Sequence, residues 1–331
     1  MKILVTGGAG FIGSNFIRLL LAERPDWSIL NLDKLTYAGN LANLREVEEH
    51  PRYSFVRADI CDPQAVSRAV EGCDAIVNFA AESHVDRSIE DPAVFLRTNV
   101  LGVHTLAEAA RKAGSRQFLQ VSTDEVYGPK LEGLSREADE LRPSSPYSAS
   151  KAGGELLARS YWVTYCLPVL VSRGVNTIGP CQYPEKALPL FITNALEEKE
   201  LPIYGDGLQV RDRLHVEDHC RALLTLLERG QPGEVYNIAA GNEMDNLSLA
   251  RFVLRELGKP ETLLRHVRDR PGHDRRYALD TSKLHALGWA PRYDTQAALR
   301  ATINWYRENR WWWEPIKSGE FAEYYRRQYG Q

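Results

Sequence analysis

Short apolar runs alternate with longer amphipathic stretches along most of the chain. Most of the runs are apolar at consecutive positions and rich in β-branched residues, which is typical of strands covered by helices on both faces. They predict strands at 2–6, 28–33, 53–58, 75–80, 117–122, 168–173 and 234–239. The stretches between them predict helices near 12–23, 91–113, 147–165, 186–199, 216–229, 247–257 and 295–309. This alternation predicts an α/β protein with a doubly wound parallel sheet.

Composition narrows the class of protein. The chain has 331 residues, of which 44% are hydrophobic and 26% charged, and its net charge is −3. That charge gives no general attraction to nucleic acid or to a membrane surface, and no apolar run is long enough to span a bilayer. The five cysteines are scattered without a C-x-x-C pair, so neither a disulfide framework nor a metal site is indicated. A strand begins at residue 2, no signal peptide is expected, and we expect a cytoplasmic protein.

A glycine motif follows the first predicted strand and opens the first helix. It reads VTGGAGFIG and places Gly7, Gly10 and Gly13 at the spacing G-x-x-G-x-x-G. Such a loop allows a tight turn and brings backbone N–H groups at a helix N-terminus close to a pyrophosphate, so this context predicts a dinucleotide site in a Rossmann fold. Asp33 ends the second strand, where an acid accepts the ribose 2′-hydroxyl and repels a 2′-phosphate. NAD is therefore favoured over NADP, although Lys34 follows directly.

Other strand ends supply further cofactor contacts. Asp59 and Ile60 follow the third strand and are placed to reach the adenine, and AAESH (80–84) follows the fourth strand. The predicted cofactor-binding residues are Gly7, Gly10, Phe11, Ile12, Gly13, Asp33, Lys34, Leu35, Thr36, Asp59, Ile60, Ala80, Ala81, Ser83, Thr98, Tyr147, Lys151 and Thr177.

A tyrosine and a lysine four residues apart supply candidate acid–base chemistry. In SSPYSASK, Ser144 or Ser145 can cap a helix and Pro146 suits its first turn, so Tyr147 and Lys151 share one helix face. We expect the ammonium group to lower the pKa of the phenol. The tyrosine could then take a proton from an alcohol while hydride leaves the same carbon for nicotinamide.

Two adjacent acids follow the fifth strand. The stretch VSTDEVYG places Asp124 beside Glu125 directly after Thr123. Like charges side by side repel each other, so the pair makes chemical sense if the two carboxyl groups differ in protonation and do different work.

Together these motifs resemble the extended short-chain dehydrogenase/reductase superfamily and, more narrowly, the dTDP-glucose 4,6-dehydratase family. The resemblance runs from residue 1 to nearly the end of the chain. It implies a lyase in which NAD⁺ takes hydride from carbon 4 of the sugar, water is lost across carbons 5 and 6, and hydride returns to carbon 6. The matching stretches are HVDRSI (84–89), STDEVYG (122–128), PYSASKA (146–152), YGDGLQVRD (204–212), VEDHCRAL (216–223), RPGHDRRYALD (270–280) and WWEPI (312–316).

The resemblance also implies residue roles. Glu125 would be the base at carbon 5, Asp124 the acid for the departing 6-hydroxyl, and Tyr147 the base for oxidation. Thr123 would bond the 4-hydroxyl region, and Lys151 would tune the tyrosine and hold the nicotinamide ribose. The implied substrate-binding residues are Ser83, His84, Thr123, Asn176, Lys186, Ala187, Pro202, Tyr204, Arg211, Asn246, Arg270 and His273.

The implied organisation is a Rossmann domain at 1–180, to which 214–241 returns, and a sugar-nucleotide-binding lobe at 181–331. A homodimer built from the helices near 91–113 and 147–165 is also implied. Apolar residues on those helices could supply its interface, namely Val100, Val103, Leu106, Leu156 and Leu157.

Some positions depart from the family pattern, and they cluster beside the predicted substrate site. RGV at 173–175 is unusual, Thr177 stands where an Asn usually faces the nicotinamide, and Ala187 replaces a larger residue. A 4,6-dehydratase of another nucleotide sugar, a UDP-hexose 4-epimerase, a UDP-glucuronate decarboxylase and a non-catalytic NAD-binding sensor therefore remain alternatives. Asp124 discriminates among the enzymes, because an epimerase needs no acid–base pair at carbons 5 and 6.

Overall fold

The computed structural model describes residues 1–318 and 320–329. Its strands are β1 (Lys2–Thr6), β2 (Ser28–Asp33), β3 (Tyr53–Arg57), β4 (Ala75–Asn78), β5 (Gln117–Thr123), β6 (Val169–Gly174), β7 (Asn176–Ile178), β8 (Leu201–Tyr204), β9 (Val210–His215), β10 (Val235–Ile238), β11 (Glu243–Asp245) and β12 (Leu264–Val267). Its α-helices are α1 (Phe11–Glu23), α2 (Pro63–Val70), α3 (Val85–Glu90), α4 (Pro92–Leu96), α5 (Val103–Ala113), α6 (Pro146–Tyr165), α7 (Ala187–Leu196), α8 (Val216–Arg229), α9 (Asn246–Glu256), α10 (Ser282–His285), α11 (Thr295–Glu308), α12 (Arg310–Ile316) and α13 (Glu320–Tyr329).

The main sheet has seven parallel strands in the order β3-β2-β1-β4-β5-β6-β10. The doubly wound α/β fold is therefore confirmed, and each predicted strand of this sheet is present with ends within two residues of the prediction. Helices α1 and α8 pack together on one face, and α2, α5 and α6 cover the other. Burial on both faces explains why these strands are apolar at consecutive positions.

A smaller lobe forms beyond β6. It contains a three-stranded sheet in the order β11-β9-β7 and a parallel pair of β8 and β12, packed on helices α7, α9 and α11. The chain returns to the main sheet through α8 and β10. The division of the chain into domains near residue 180 stays a prediction.

The tryptophans of α12 anchor the second lobe. Trp312 and Trp313 are buried in its core, and their indole N–H groups donate to Asn43 Oδ1 at 2.7 Å and to the Tyr306 carbonyl at 2.8 Å. Trp311 is half exposed. The buried pair therefore serves packing. Among the described residues no helix is long and apolar enough to cross a membrane.

A buried ion pair ties α6 to the main sheet. Arg173 on β6 lies 2.5 Å from Glu155 on α6, and both side chains are almost fully buried. Arg173 also donates to the Tyr127 hydroxyl at 2.6 Å, and that hydroxyl donates to Asn237 Oδ1 at 2.8 Å. The helix that carries Tyr147 and Lys151 is thus fixed to β6 and, through Tyr127, to β10.

Replacing Arg173 with Met should lower the free energy of unfolding by about 3–5 kcal/mol, because it leaves the Glu155 carboxylate buried without its partner. Chemical denaturation of the purified variant measures the change. The matched control is the double variant Arg173→Met/Glu155→Leu, which removes the stranded charge and should recover most of the loss. A single variant as stable as the wild type would contradict this account.

Candidate active site

Two adjoining cavities open at the carboxyl ends of the central strands, where doubly wound sheets bind ligands. The first, of about 300 Å³, extends from the glycine loop to Tyr147 and Lys151. We call it the cofactor cavity. The second, of about 180 Å³, lies between the sheet and the second lobe, and we call it the substrate cavity. Glu125 and Asn176 are among the residues that line both, so the cavities meet beside the two acids.

The glycine loop is folded tightly against neighbouring backbone. Gly7 has a left-handed backbone (φ 69°), and a Cβ added to it would lie 2.6 Å from the Ala80 backbone nitrogen. A Cβ on Gly13 would lie 2.5 Å from the Gly7 carbonyl oxygen. Helix α1 begins at Phe11, directly after the loop. These two glycines are therefore required by the packing of the loop itself, and the loop leads directly into a helix N-terminus, where a pyrophosphate can bind.

Asp33 is held rigidly at the adenosine end of the cofactor cavity. Its carboxylate accepts the Ala9 N–H at 2.9 Å and the Leu35 N–H at 2.8 Å, while burial raises its pKa. Lys34 is paired with Asp59 at 2.8 Å, so its charge is compensated. Of the predicted cofactor-binding residues, all but Leu35 line the cavity. Leu35 has a left-handed backbone (φ 58°) and donates its N–H to Asp33, and its role in cofactor binding stays a prediction.

The two adjacent acids differ in environment. Thr123 ends β5, accepts the Glu125 N–H at 3.3 Å and donates to Asp124 Oδ1 at 3.1 Å. Burial and the neighbouring Glu125 charge raise the pKa of Asp124 to about 8. Burial also raises the pKa of Glu125, although the cationic groups of Arg270 and Arg211 oppose the shift. At neutral pH the Asp124 carboxyl group therefore retains its proton and can donate it.

Tyr147 lies in the first turn of α6, where Ser145 forms a capping box with Ser148 and Pro146 opens the helix. Its pKa is raised by burial and then by the charges of Glu125 and Asp124. Lys151 donates to the Val121 carbonyl at 2.7 Å, and burial lowers its own pKa to about 8. The expectation that Lys151 lowers the tyrosine pKa is wrong for this structure, because burial next to two carboxyl groups dominates.

The substrate cavity collects cationic side chains. Lys186 donates to the Ser83 carbonyl at 2.8 Å, and Arg211 donates to the Asp274 carbonyl at 2.8 Å. Arg270 lies 3.2 Å from Asp86. Guanidinium and ammonium groups in one partly buried cavity fit a diphosphate. Of the predicted substrate-binding residues, all but Thr123 line this cavity, and Thr123 lines the cofactor cavity.

Several lining residues were not predicted. Arg213 and Tyr277 face the substrate cavity, His219 the cofactor cavity, and Gln182 and Glu185 both. Glu185 is buried and pairs with Arg87 at 3.1 Å. The available signals were the matching stretches themselves, because HVDRSI contains Arg87, VEDHCRAL contains His219 and RPGHDRRYALD contains Tyr277. Within the described ranges no three His, Cys, Asp or Glu side chains cluster closely enough to hold a metal ion.

Comparison with known proteins agrees with this geometry. The sequence profile of the family described as GDP-mannose 4,6 dehydratase matches residues 4–302. The dTDP-glucose 4,6-dehydratase of Streptomyces niveus is 50% identical over 327 residues, which cover 97% of each chain. The dTDP-glucose 4,6-dehydratase of Escherichia coli is 46% identical and covers 97% of this chain and 98% of its own.

Solved structures show the same similarity. The dTDP-glucose 4,6-dehydratase DesIV of Streptomyces venezuelae, crystallised with NAD bound, superposes with a TM-score of 0.94 at 50% identity, covering 96% of this chain and all of that chain. The UDP-glucose 4-epimerase of Thermotoga maritima reaches a TM-score of 0.86 at 30% identity, covering 93% of this chain and 99% of its own. This chain belongs to the dTDP-glucose 4,6-dehydratase family.

Proposed function

We propose that the protein is an NAD-dependent lyase that dehydrates a nucleotide-activated glucose, dTDP-glucose in particular, to the 4-keto-6-deoxy sugar nucleotide. The observation that carries the proposal is the Asp124–Glu125 pair, which is buried where the two cavities meet, and burial raises the pKa of both carboxyl groups. The names of the relatives support the same reaction, and the NAD bound in the DesIV structure supports the cofactor.

NAD would lie along the cofactor cavity, with its pyrophosphate on the glycine loop and its ribose hydroxyls at Asp33 and Lys151. When bound, NAD⁺ supplies the hydride acceptor and a positive charge next to Tyr147 that favours the phenolate. Tyr147 takes the proton of the 4-hydroxyl group, and Thr123 holds that part of the sugar by hydrogen bonding. Lys151 positions the ribose.

The acids then divide the elimination of water between them. The 4-keto group acidifies the proton on carbon 5, and Glu125 removes it as general base. Asp124 donates its proton to the 6-hydroxyl as that group leaves, so the carbon–oxygen bond at carbon 6 breaks while a carbon–carbon double bond forms between carbons 5 and 6. Glu125 would finally return a proton to carbon 5 as the hydride that left carbon 4 is delivered to carbon 6, so that the double bond is saturated and the cofactor is restored to NAD⁺. This division needs one protonated and one ionised carboxyl group at neutral pH. The raised pKa of Asp124 favours its protonated form, and the charges of Arg270 and Arg211 favour ionisation of Glu125.

Incubation of the purified protein with dTDP-glucose, without added reductant, tests the proposal. We expect a product that is lighter by one water and shows the alkaline absorbance of a 4-keto-6-deoxy sugar. UDP-glucose run in parallel tests the nucleobase preference. Release of a hexose isomer of unchanged mass would instead support the epimerase alternative, and bound NAD without turnover of any sugar nucleotide would support the sensor.

Replacing Asp33 with Asn should weaken NAD binding by roughly tenfold or more, because a charge-assisted hydrogen bond to the ribose is lost. Binding of NADP should weaken less or improve, since the charge that repels the 2′-phosphate is gone. Titration calorimetry with both cofactors measures the ratio. Asp62→Asn, at the exposed N-cap of α2 outside the cavity, is the matched control. An unchanged NAD-to-NADP ratio in Asp33→Asn would contradict the assignment.

We also propose that two copies pair through α4, α6 and the π-helical segment 97–102. Apolar side chains that are half or more exposed lie on these packed elements, namely Leu96, Leu101, Leu156 and Val163. Leu156 and Val163 are seven residues apart, which is two turns of one helix face. Such a contiguous exposed apolar face is typical of an interface. Val103 and Leu106, which were expected to contribute, are buried in the core of the subunit.

The double variant Leu156→Asp/Val163→Asp should sediment as a monomer at micromolar concentration, whereas the wild type should sediment as a dimer. Leu131→Asp is the control, because Leu131 is equally exposed on a loop outside these elements. A monomeric wild type would contradict the dimer.

A cytoplasmic location remains part of the proposal and rests on the unpaired, dispersed cysteines.

A further inference from the structure

Two side chains that line the cofactor cavity each carry a fully buried polar atom without a hydrogen-bond partner within the described residues. The two atoms are His219 Nε2 and Gln182 Oε1. His219 is 2% exposed and Gln182 9% exposed, and both side chains line the cofactor cavity. A buried polar atom without a partner is costly, so a pair of them in a cavity wall indicates a ligand that completes their hydrogen bonds.

Thr177 holds both side chains in place. Its hydroxyl oxygen lies 2.7 Å from His219 Nδ1, and its carbonyl accepts from Gln182 Nε2 at 2.8 Å. Because the amide nitrogen of Gln182 is used in this way, its oxygen is left as an acceptor. Burial lowers the pKa of His219 to about 4, so the ring is neutral. The Thr177 hydroxyl lies 2.7 Å from His219 Nδ1 and 3.3 Å from the Val175 carbonyl oxygen. We assign its proton to the shorter contact, so that Nδ1 accepts, and Nε2 then carries the ring hydrogen and is a donor.

Gly174 provides the space that the imidazole ring occupies. A Cβ on this residue would lie 2.8 Å from His219 Cε1. Gly174 ends β6 and is in register with Thr123 on β5, so the ring lies at the catalytic end of the cavity and away from Asp33. Two positions that depart from the family pattern therefore both fix the position of His219. Gly174 leaves space for the ring, and Thr177 contacts its Nδ1.

We propose that His219 and Gln182 clamp the carboxamide group of the nicotinamide ring. In this arrangement His219 Nε2–H donates to the carboxamide oxygen, and Gln182 Oε1 accepts from the carboxamide amino group. The clamp fixes which face of the ring meets carbon 4 of the sugar, and it takes over the contact that an Asn at position 177 would make. The inference rests on the proposed function, because it requires NAD as the cofactor.

The test for His219 titrates nucleotide-free protein with NAD⁺ and with ADP-ribose, which lacks only the nicotinamide. His219→Asn keeps an amide near Thr177 but removes the group at the Nε2 position, whereas His219→Gln places an amide at that position. We expect His219→Asn to weaken NAD⁺ binding about tenfold and ADP-ribose binding less than about twofold, and His219→Gln to recover most of the loss. Equal losses for the two ligands, or no loss for NAD⁺, would overturn the proposal.

The test for Gln182 uses 3-acetylpyridine adenine dinucleotide, in which a methyl group replaces the carboxamide amino group. The wild type should prefer NAD⁺ over this analogue by about tenfold, the value of one buried hydrogen bond. Gln182→Met should abolish the preference and His219→Asn should keep it. A preference that survives in Gln182→Met would overturn the role of Gln182. Failure of the wild type to bind NAD⁺ at all would instead overturn the proposed function.

Discussion

Replacing Asp124 with Asn is expected to lower kcat for dehydration by about 10²–10⁴-fold, the usual contribution of a general acid. Asn cannot donate a proton to the departing 6-hydroxyl, but it preserves the size of the side chain and its contact with Thr123. Oxidation at carbon 4 should continue, so the absorbance of reduced nicotinamide should rise in a single turnover and persist. A variant with wild-type kcat would contradict the assignment of Asp124 as the acid.

Exchange with heavy water separates the two acids. In Asp124→Asn, Glu125 is intact and should still remove the proton on carbon 5, so substrate recovered from the reaction should carry solvent deuterium there. Glu125→Gln, the matched control, should also stall after oxidation but should show no exchange. Incorporation of deuterium in Glu125→Gln alone would reverse the two roles.

The pH dependence of the wild type follows from the same assignment. The active form of Asp124 is the protonated one, and its pKa is raised to about 8 by burial and by the Glu125 charge. The rate of dehydration should therefore fall as the pH rises through this value, by about tenfold per unit where elimination limits the rate, and it should also fall at low pH, where the base Glu125 becomes protonated.

Replacing Tyr147 with Phe is expected to lower kcat by about 10²–10⁴-fold through a different step, because no group remains to take the proton of the 4-hydroxyl. Burial raises the pKa of Tyr147, and the neighbouring carboxylates of Glu125 and Asp124 raise it further. No reduced nicotinamide should accumulate in this variant, in contrast to Asp124→Asn. Stopped-flow absorbance after mixing with dTDP-glucose distinguishes the two.

A denaturation curve that matches the wild type is the control for Tyr147→Phe, since the backbone contact of residue 147 with Ser88 Oγ does not involve the phenol. Accumulation of reduced nicotinamide in this variant would show that oxidation proceeds without the tyrosine and would contradict its role as base.

The main sheet and the two catalytic motifs could be predicted from the sequence, because parallel strands buried on both faces leave continuous apolar runs and because loops at their carboxyl ends form the site. The strands of the second lobe were missed. Strand β7 has only three residues, too few to give a clear pattern. Strand β9 carries Arg211, Asp212 and Arg213, and three consecutive charged residues are typical of an exposed segment. All three are buried, since Asp212 accepts three backbone N–H groups and Arg213 donates to the carbonyls of Arg211 and Met244.

The electrostatics of the site could be predicted only in part. Adjacency in sequence led us to expect that the pKa of one of the two acids is raised, and burial raises the pKa of both Asp124 and Glu125. The direction of the Tyr147 shift was mistaken, because helical spacing places Lys151 near the phenol but cannot show that its ammonium group is bonded to the Val121 carbonyl. The contact between Thr177 and His219 could not be predicted from the sequence either, because His219 lies on α8, 42 residues away along the chain.

Dehydration of dTDP-glucose carrying deuterium at carbon 4 tests the central claim most directly. If Tyr147 serves oxidation at carbon 4 and the two acids serve elimination across carbons 5 and 6, the product should be lighter by one water and should carry the deuterium on carbon 6. Mass spectrometry and proton NMR of the product measure both. A product that retains deuterium at carbon 4, or that has lost no water, would contradict the account.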